Sequence, residues 1–521
     1  MRSNRALLWA SITQVSGLLL AGYWFKDALN TDAVAYLRLA EYYAGGQFGL
    51  AVSGYWGPLL SWLLALALKA GLPALAAARL VMGCSAVLFF VAGVILLQTA
   101  GLSGRWVRTG AWVLALVSIP WSVANITPDL LLAALLALAT AFLMAARLDH
   151  KLLFTTAAGL LWGLAFLTKA VALPLGLLFI VGWQVWRWRH ERLAGRRALA
   201  GALIFLAALS LPAAPWITIL TRHYGSFTIS TSARIAHTIA GPADLERYHS
   251  FARHFHRPEA GRVTAWEDPS RMEYQPWSPL EKAGYALHQA RLSSWNFVLA
   301  QIMLMTVFLD WPVVLGALLL AWRKPAWRVF LPALPVIPAL LFVAGLTLMY
   351  LPGYLILPEQ RFFYPAAPFL FIAGVWLVET LRTRWPLPEA WSGAALAGSF
   401  VLPALALLLF FLPARRDAGT MARELAEALR PLEVSGPLAG SASQPGGRVG
   451  LYTAFFLGQP WLGDERSPTP ESILASGARW FLVNNGTALA QTLSRTPDFE
   501  DITPSGLANR HPVRVFRIIR H

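Results

Sequence analysis

Four charged side chains stand where apolar stretches of the chain give way to polar connections. Asp32 and Asp129 are carboxylates, and Lys169 and Arg361 are cations. A carboxylate can take the proton of a hydroxyl nucleophile, and a cation can stabilise a phosphate that leaves as an anion. The basic residues of the connections predict that all four lie on one side of a membrane, where they could promote transfer of a group between two substrates.

Each of these residues also has an ordinary structural explanation. Asp32 could cap a helix, and Asp129 could complement a helix dipole. Lys169 could extend its ammonium toward the membrane interface, and Arg361 could anchor that interface beside its aromatic neighbours. Two carboxylates that reach one cavity are less easily explained in this way, which favours a shared site.

The composition places the chain among membrane proteins. Of its 521 residues, 57% are hydrophobic and only 13% are charged, a balance too apolar for a soluble protein of this size. Most of the net charge of +16 reports membrane topology, so no nucleic acid partner is expected. The lone cysteine, Cys84, excludes an intrachain disulfide.

About eleven segments are apolar and long enough to cross about 30 Å of hydrocarbon, which takes roughly 20 residues each. They are residues 7–24, 76–98, 109–124, 130–146, 152–167, 170–186, 199–220, 297–322, 329–348, 363–381 and 391–412. Basic residues cluster in every second connection, which places those connections and the N-terminus in the cytoplasm. The sequence thus predicts a mainly α, polytopic transmembrane helical bundle in the cytoplasmic (inner) membrane.

The first outer loop, residues 25–75, is where chemistry is most plausible. Residues 30–42 predict a short amphipathic helix with Thr31 or Asp32 as its N-cap. A carboxylate held at the membrane surface directly after a span can meet a lipid-linked substrate. The run 58–72 is predicted to lie in the interface without crossing, because crossing would move several arginine clusters outside.

Two further outer pieces follow, residues 221–296 and the C-terminal residues 413–521. In the latter, the patterns predict helices over 421–432, 470–476 and 489–495, strands over 449–456, 479–483 and 513–519, and a linker over 435–447. These patterns predict that residues 413–521 form a small extracytoplasmic α/β domain, which is large enough to fold on its own. Residues 1–412 form the predicted transmembrane module.

Five short motifs follow one another in a distinctive order. They are Asp32-x-x-x-Tyr36-Leu37, Tyr55-Trp56-Gly57-Pro58-Leu59-Leu60, Pro128-Asp129-Leu130-Leu131, Gly163-Leu164-Ala165-Phe166-Leu167-Thr168-Lys169 and Arg361-x-x-Tyr364-Pro365. Together they resemble the GT-C-type polytopic membrane glycosyltransferases, within the branch that includes protein O-mannosyltransferases and the lipid A aminoarabinose transferase. The similarity covers residues 5–380.

The resemblance implies a GT-C-like fold and a sugar donor carried on a polyprenyl phosphate. It implies Asp32 as the catalytic carboxylate and Asp129 as a second acidic residue of the site. The implied substrate-binding residues are Lys169, Arg361, Tyr36, Tyr55 and Tyr364. One departure matters, because some relatives carry a lysine before the proline of the first loop, where this chain has Trp56-Gly57-Pro58. Another cation, or a different binding geometry, must then hold the donor phosphate.

The residue types support the same chemistry. No P-loop or dinucleotide glycine motif is visible, which agrees with a lipid donor, since nucleotide sugars are absent outside the cytoplasm. We expect inverting displacement at the anomeric carbon, with Asp32 taking the proton of the acceptor hydroxyl. The acceptor is expected to be an envelope lipid, polysaccharide or protein. No organic cofactor is expected, and the sequence leaves the use of a divalent cation open.

Two further features have more than one interpretation. Asp310, before Trp311, either marks a broken helix that faces the cavity or lies at the interface. The loop with His249, His254 and His256 has no cysteine or nearby acidic residue to complete a metal site. Its basic and aromatic residues instead predict an outer segment that contacts lipid headgroups or the acceptor.

Two other classes of function stay open on the sequence alone. A transporter or flippase of lipid-linked saccharides would also place charges in a membrane cavity, but the repeated halves with paired broken helices are not visible. A non-catalytic scaffold with a partner-binding C-terminal domain would leave the two aspartates unexplained. The expected partners are membrane lipids, the lipid-linked sugar and its acceptor.

Overall fold

The structure is a computed structural model that describes residues 2–149, 152–245, 255–272, 274–323, 336–353, 360–383, 385, 388–441, 446–504 and 512–519. In chain order the helices are α1 (Arg2–Trp24), α2 (Thr31–Ala44), α3 (Phe48–Ala51), α4 (Pro58–Lys69), α5 (Ala74–Thr99), α6 (Gly104–Ala124), α7 (Asp129–Asp149), α8 (Leu152–Thr168), α9 (Ala172–His190), α10 (Gly195–Tyr224), α11 (Ser232–Ile239), α12 (Ala283–Val307), α13 (Trp311–Arg323), α14 (Val336–Tyr350), α15 (Ala367–Arg382), α16 (Glu389–Ala406), α17 (Leu412–Leu429), α18 (Gly446–Leu457), α19 (Pro470–Ala475) and α20 (Ala488–Leu493). The strands are β1 (Leu438–Ser441), β2 (Trp461–Glu465), β3 (Trp480–Asn484), β4 (Phe499–Asp501) and β5 (Val513–Ile518). Short 3₁₀-helices cover Ala265–Glu267, Pro269–Arg271, Gln360–Ala366 and Arg430–Leu432, and a π-helical turn covers Leu407–Phe411.

Seven helical stretches in the described part of the chain are long and apolar enough to cross a membrane. They are Arg5–Trp24, Ala74–Thr99, Gly104–Ala124, Asp129–Ala146, Gly195–Tyr224, Gln360–Arg382 and Ala390–Leu432. Counting the bent pair of α12 and α13 as one span raises the number to eight. The chain is a membrane protein, but the predicted count of about eleven spans is not confirmed.

Several of the other predicted spans form shorter helices. α8 has 17 residues and α14 has 15, and a helix rises only about 1.5 Å per residue. The predicted span 329–348 begins among residues 324–335, which lie outside the described part. α4 has 12 residues, or about 18 Å of helix, which agrees with the prediction that the run 58–72 does not cross.

The apolar run 297–322 forms two helices instead of one. α12 and α13 meet at a break and are bent by 116°, so the break predicted at Asp310 is present. The backbone N–H of Asp310 donates to Ser399 Oγ at 2.9 Å, and the N–H of Leu309 donates to the Ser399 carbonyl at 3.0 Å. α16 therefore satisfies two backbone donors at the break, which would otherwise be left without a partner.

The centre of the bundle is formed by α5, α6, α7, α8 and α10, which pack side by side. Two glycines of α8 let α10 approach closely. A Cβ at Gly159 would collide with the carbonyl oxygen of Phe205, and one at Gly163 would collide with the ring of Pro212. Membrane helices associate through such small residues because lipid supplies no hydrophobic drive between them. This packing fixes the positions of the ends of α7 and α8.

The C-terminal part contains a five-stranded sheet in the order β2-β1-β3-β5-β4. β1 is parallel to β2 and β3, and β5 is antiparallel to β3 and β4. The prediction of a strand over 449–456 is wrong, because these residues lie in α18, and the predicted linker 435–447 contains β1. α18 packs between the sheet and α17. Because it is buried on both sides, its apolar residues show no helical periodicity that would distinguish the helix from a buried strand.

The C-terminal part is continuous with the last span. α16, the π-helical turn and α17 form one helical stretch, Ala390–Leu432, so residue 412 falls inside a helix. α17 also packs on the turn between α1 and α2, where Arg423 Nη1 lies 2.8 Å from Asp27 Oδ1. A Cβ at Gly419 would collide with the Asp27 carbonyl oxygen. The C-terminal part is thereby held at the end of the bundle that carries α2.

Candidate active site

The carboxylate of Asp32 is not used as a helix cap. The N-cap position of α2 is occupied by Asn30, so the prediction of Thr31 or Asp32 at that position is wrong. Asn30 Oδ1 accepts from the backbone N–H of Ile126 at 2.9 Å, which ties the start of α2 to the segment before α7. Asp32 lies in the first turn of α2 and is buried, and its carboxylate is left to make contacts across the bundle.

Arg361 lies between the two predicted acidic residues. Its Nη2 lies 2.7 Å from Asp32 Oδ2, and its Nη1 lies 3.9 Å from Asp129 Oδ2. All three side chains are largely buried, with 11% of Arg361, 11% of Asp32 and 2% of Asp129 exposed. Arg361 belongs to the 3₁₀-helix that precedes α15, and this helix packs against α7. One guanidinium thus faces two carboxylates that come from different helices.

Lys169 completes a row of alternating charges. Its Nζ donates to Asp129 Oδ1 at 2.6 Å. Lys169 follows α8 at the break before α9, where the first outer loop passes very close. A Cβ at Gly57 would collide with the carbonyl oxygen of Thr168, so only glycine fits there. The departure from the family pattern at Trp56-Gly57-Pro58 therefore lies directly beside this cation.

Aromatic rings cover the two cations. Lys169 Nζ lies 4.0 Å from the centroid of the Phe362 ring and 5.9 Å from that of Tyr350. The Arg361 guanidinium carbon lies 5.3 Å from the Phe362 centroid, and the Phe362 and Tyr350 rings stack at 5.1 Å. The electron-rich ring faces attract the cations while shielding them from solvent.

The three predicted substrate-binding tyrosines differ in their surroundings. Tyr36 and Tyr55 pack in an aromatic cluster beside Asp32, with Trp56 5.0 Å from Tyr36 and 4.6 Å from Tyr55 between ring centroids. Burial, followed by the charges of Asp129 and Asp32, raises the pKa of Tyr36 well above its usual value. Its phenol therefore stays neutral and can donate a hydrogen bond. Tyr364 stacks on Trp121 at 4.0 Å and is buried.

Sequence reasoning missed a second contact to Asp32. The indole Nε1–H of Trp266, in the long loop before α12, donates to Asp32 Oδ1 at 3.1 Å. The Trp266 carbonyl accepts from Trp56 Nε1 at 2.9 Å, so the first and second outer pieces meet at this carboxylate. Thr264 and Glu267 form a capping box around Trp266, and this Thr-x-x-Glu spacing was the signal in the sequence.

The Trp266 segment is fixed by the two buried carboxylates that directly follow Trp266. Glu267 is fully buried and accepts from the Tyr42 hydroxyl at 2.8 Å. Asp268 accepts from the Tyr224 hydroxyl at 3.0 Å and from Ser53 Oγ at 3.2 Å. Each carboxylate thus ties the segment to a different element, which holds the indole against Asp32.

The same loop joins the C-terminal sheet. The N–H of Trp461 donates to the carbonyl of Val263 at 2.6 Å, and Thr264 forms a parallel β-bridge with Trp461. The N–H of His256 donates to the carbonyl of Leu462 at 2.6 Å. The loop therefore covers the edge of β2, so the C-terminal part contributes to holding Trp266.

The four charged residues carry a formal net charge of zero, from two acids and two cations. The arrangement offers a carboxylate to accept a proton and two cations to attract a phosphate. Among the described residues, no three His, Cys, Asp or Glu side chains converge in a way that could hold a metal ion. Of the histidine loop, His249 and His254 lie outside the described residues, and His256 lies at the β2 edge.

Comparison with known proteins identifies the fold. The chain is similar to ArnT from Cupriavidus metallidurans bound to undecaprenyl phosphate, with a TM-score of 0.55 and 17% identity over 98% of this chain and 97% of that one. It is also similar to the oligosaccharyltransferase of Archaeoglobus fulgidus in complex with zinc and sulfate, with a TM-score of 0.53 and 12% identity over 92% of this chain and 68% of that one. No protein-family model and no curated protein matches the chain. The GT-C-type fold predicted from the motifs is confirmed.

Proposed function

We propose that this chain is a membrane glycosyltransferase that moves a sugar from a polyprenyl-phosphate donor to an envelope lipid, polysaccharide or protein. The observation that carries the proposal is the position of Arg361 between Asp32 and Asp129. Support comes from the fold, since ArnT, which shares it, binds undecaprenyl phosphate. The proposed site lies at the outer face of the cytoplasmic membrane, with the N-terminus inside and residues 413–521 outside.

The proposed reaction is a single displacement with inversion at the anomeric carbon. Asp32 takes the proton of the acceptor hydroxyl, and the oxygen forms a bond to the anomeric carbon. The bond from that carbon to the phosphate oxygen breaks, and the lipid phosphate leaves with the electron pair. Arg361 and Lys169 stabilise its charge, because a phosphate leaving group needs cations more than protonation.

Before transfer, the two cations are held by carboxylates. Lys169 contacts Asp129 at 2.6 Å and Arg361 contacts Asp32 at 2.7 Å. A donor phosphate that binds both cations would draw Arg361 away from Asp32 and leave that carboxylate to accept a proton. Asp129 would keep Lys169 in place. The neutral hydroxyl of Tyr36 would supply a hydrogen-bond donor near Asp129. Donor binding in this scheme prepares the base for the acceptor.

The test is consumption of a synthetic polyprenyl-phosphate sugar by the full chain in proteoliposomes. We expect Asp32→Asn to lower the rate by about 10²–10⁴-fold, the usual effect of losing a general base. Asp27→Asn is the matched control, because Asp27 is also buried and ion-paired, at 2.8 Å to Arg423, but lies outside the site. Full transfer by Asp32→Asn would refute the assignment of Asp32 as the base.

A further inference from the structure

A separate cavity of about 370 Å³ opens on the far side of the Trp266 segment. None of the four charged site residues lines it. Its charged and titratable lining residues are His256, Arg257, Glu259, Arg262, Asp268 and Arg271. Three arginines against two acids give this wall a formal charge of +1, with the histidine neutral. A polar cavity with an excess of guanidinium groups favours an anionic ligand.

Two of the arginines converge on one carboxylate. Arg262 Nε lies 2.9 Å from Glu259 Oε2, and Arg271 Nε lies 3.5 Å from Glu259 Oε1. The Glu259 side chain is 44% exposed, so it can turn into solvent when another oxyanion takes its place beside Arg262. The chain's own carboxylate therefore shows where two guanidinium groups hold an oxyanion. With Glu259 turned away, the wall carries a formal charge of +2.

Arg262 has one nitrogen without a hydrogen-bond partner in the described part of the protein. Its side chain is only 2% exposed, and its Nη1 has no hydrogen-bond partner among the described residues. The Glu267 Oε2 atom lies 3.8 Å from Nη1, beyond hydrogen-bond distance. A buried guanidinium with an unused N–H group is costly unless something binds it.

The cavity shares its wall with the candidate active site. Ala265 and Asp268 line the cavity, and Trp266 between them donates to Asp32. A group held by Arg262 and Arg271 would therefore lie behind the residue that contacts the proposed base. An acceptor long enough to pass around the Trp266 segment could be anchored here by a remote group while its hydroxyl reaches Asp32, because remote binding energy can be used to orient the reacting group.

We propose that this cavity binds an oxyanion group of the acceptor, a phosphate or a carboxylate, in place of the Glu259 carboxylate. The identity of the ligand as acceptor rests on the proposed function, whereas oxyanion binding does not. Arg262 and Arg271 bind the oxyanion, and Arg257, which also lines the cavity, adds positive charge. The acceptor on this proposal is an anionic molecule.

The first experiment titrates the full chain with inorganic phosphate by calorimetry. We expect Arg271→Gln to weaken binding at least fivefold. Glu259→Gln should tighten binding at least threefold, because it removes the competing carboxylate. Both side chains are more than 40% exposed, so these variants are expected to fold. Asp244→Asn, which breaks the exposed pair with Lys282 outside the cavity, should change nothing. Absence of phosphate binding, or equal affinity in wild type and both cavity variants, overturns the site.

The second experiment separates this inference from the proposed function. Inorganic phosphate should inhibit transfer from a polyprenyl-phosphate sugar to an envelope extract, and Arg271→Gln should require at least fivefold more phosphate for the same inhibition. Phosphate binding by a chain that consumes no donor would refute the transferase and leave the oxyanion site. Transfer that phosphate does not inhibit would refute the acceptor assignment and leave the transferase.

Discussion

Replacement of Arg361 tests the core of the site most directly. At an effective dielectric constant of about 20, its attractions to Asp32 at 2.7 Å and to Asp129 at 3.9 Å amount to about 6 and about 4 kcal/mol. The cost of burying the charges cancels much of this attraction. Removal of one partner from a buried pair typically costs about 3–5 kcal/mol, because it leaves an uncompensated charge. We therefore expect Arg361→Met to lower the thermal stability of the chain clearly.

The effect on transfer should exceed the effect on stability. Arg361→Met leaves Asp32, Asp129 and Lys169 with a formal charge of −1, which repels a donor phosphate as well as removing a cation that stabilises it. We expect kcat/KM for the lipid donor to fall by about 10³-fold or more. Arg361→Lys restores the charge, but one compact ammonium cannot replace a planar fork of five donors. A loss of about 10–100-fold is expected for this variant.

The assay is donor consumption in proteoliposomes at several donor concentrations, with folded protein quantified by size exclusion. The double variant Arg361→Met with Asp32→Asn has a site of zero formal charge, so its stability should recover while its activity stays lost. A kcat/KM for Arg361→Met within threefold of wild type would refute the reasoning. Equal losses for the methionine and lysine variants would show that charge at this position is irrelevant.

Three further outcomes are expected. Trp266→Phe keeps an aromatic ring but removes the N–H that orients Asp32, so kcat should fall about tenfold, the rate equivalent of one hydrogen bond of about 1.4 kcal/mol. Because Trp266 is buried, the smaller ring should also lower the melting temperature. Gly419→Ala should destabilise the full chain by about 1–3 kcal/mol through its collision with the α1–α2 turn, whereas Gly398→Ala, which meets nothing within 4 Å, should not. Burial raises the pKa of the Asp464 carboxyl to about 7, so the folded state favours its protonated form. Ionisation of this carboxyl as the pH rises toward and through about 7 therefore lowers the stability of the fold. Asp464→Asn should therefore raise the thermal stability at pH 8 more than at pH 5, and equal shifts at both pH values would contradict this.

The sequence alone predicted much of the architecture, because lipid imposes a simple rule. Backbone groups in hydrocarbon must be satisfied within each segment, so long apolar runs such as those that became α5, α6 and α7 had to be helices. The rule is weaker where a run is short or interrupted. The single run 297–322 became two helices at 116°, since Ser399 on a distant helix satisfies the break. Nothing local to Asp310 encodes that partner.

Local patterns failed where tertiary contacts override propensity. Thr31 and Asp32 are both good N-cap residues, but Asn30 takes the position and bonds to Ile126 instead. Residues 449–456 have the β-branched, aromatic composition of a strand, yet they form a helix because the sheet and α17 bury them on both sides. In both cases the deciding neighbour lies far away in the chain.

The residue types of the candidate site were evident from the sequence, since carboxylates and cations at the ends of apolar runs are costly and therefore informative. The pairing of Asp32 with Arg361, and of Asp129 with Lys169, was decided only by how α2, α7, α8 and the 3₁₀-helix before α15 pack. The contact of Trp266 with Asp32 depends on a loop fixed by buried carboxylates and by the edge of β2. Sequence specifies which groups are costly to bury, whereas packing decides which opposite charge or donor satisfies each of them.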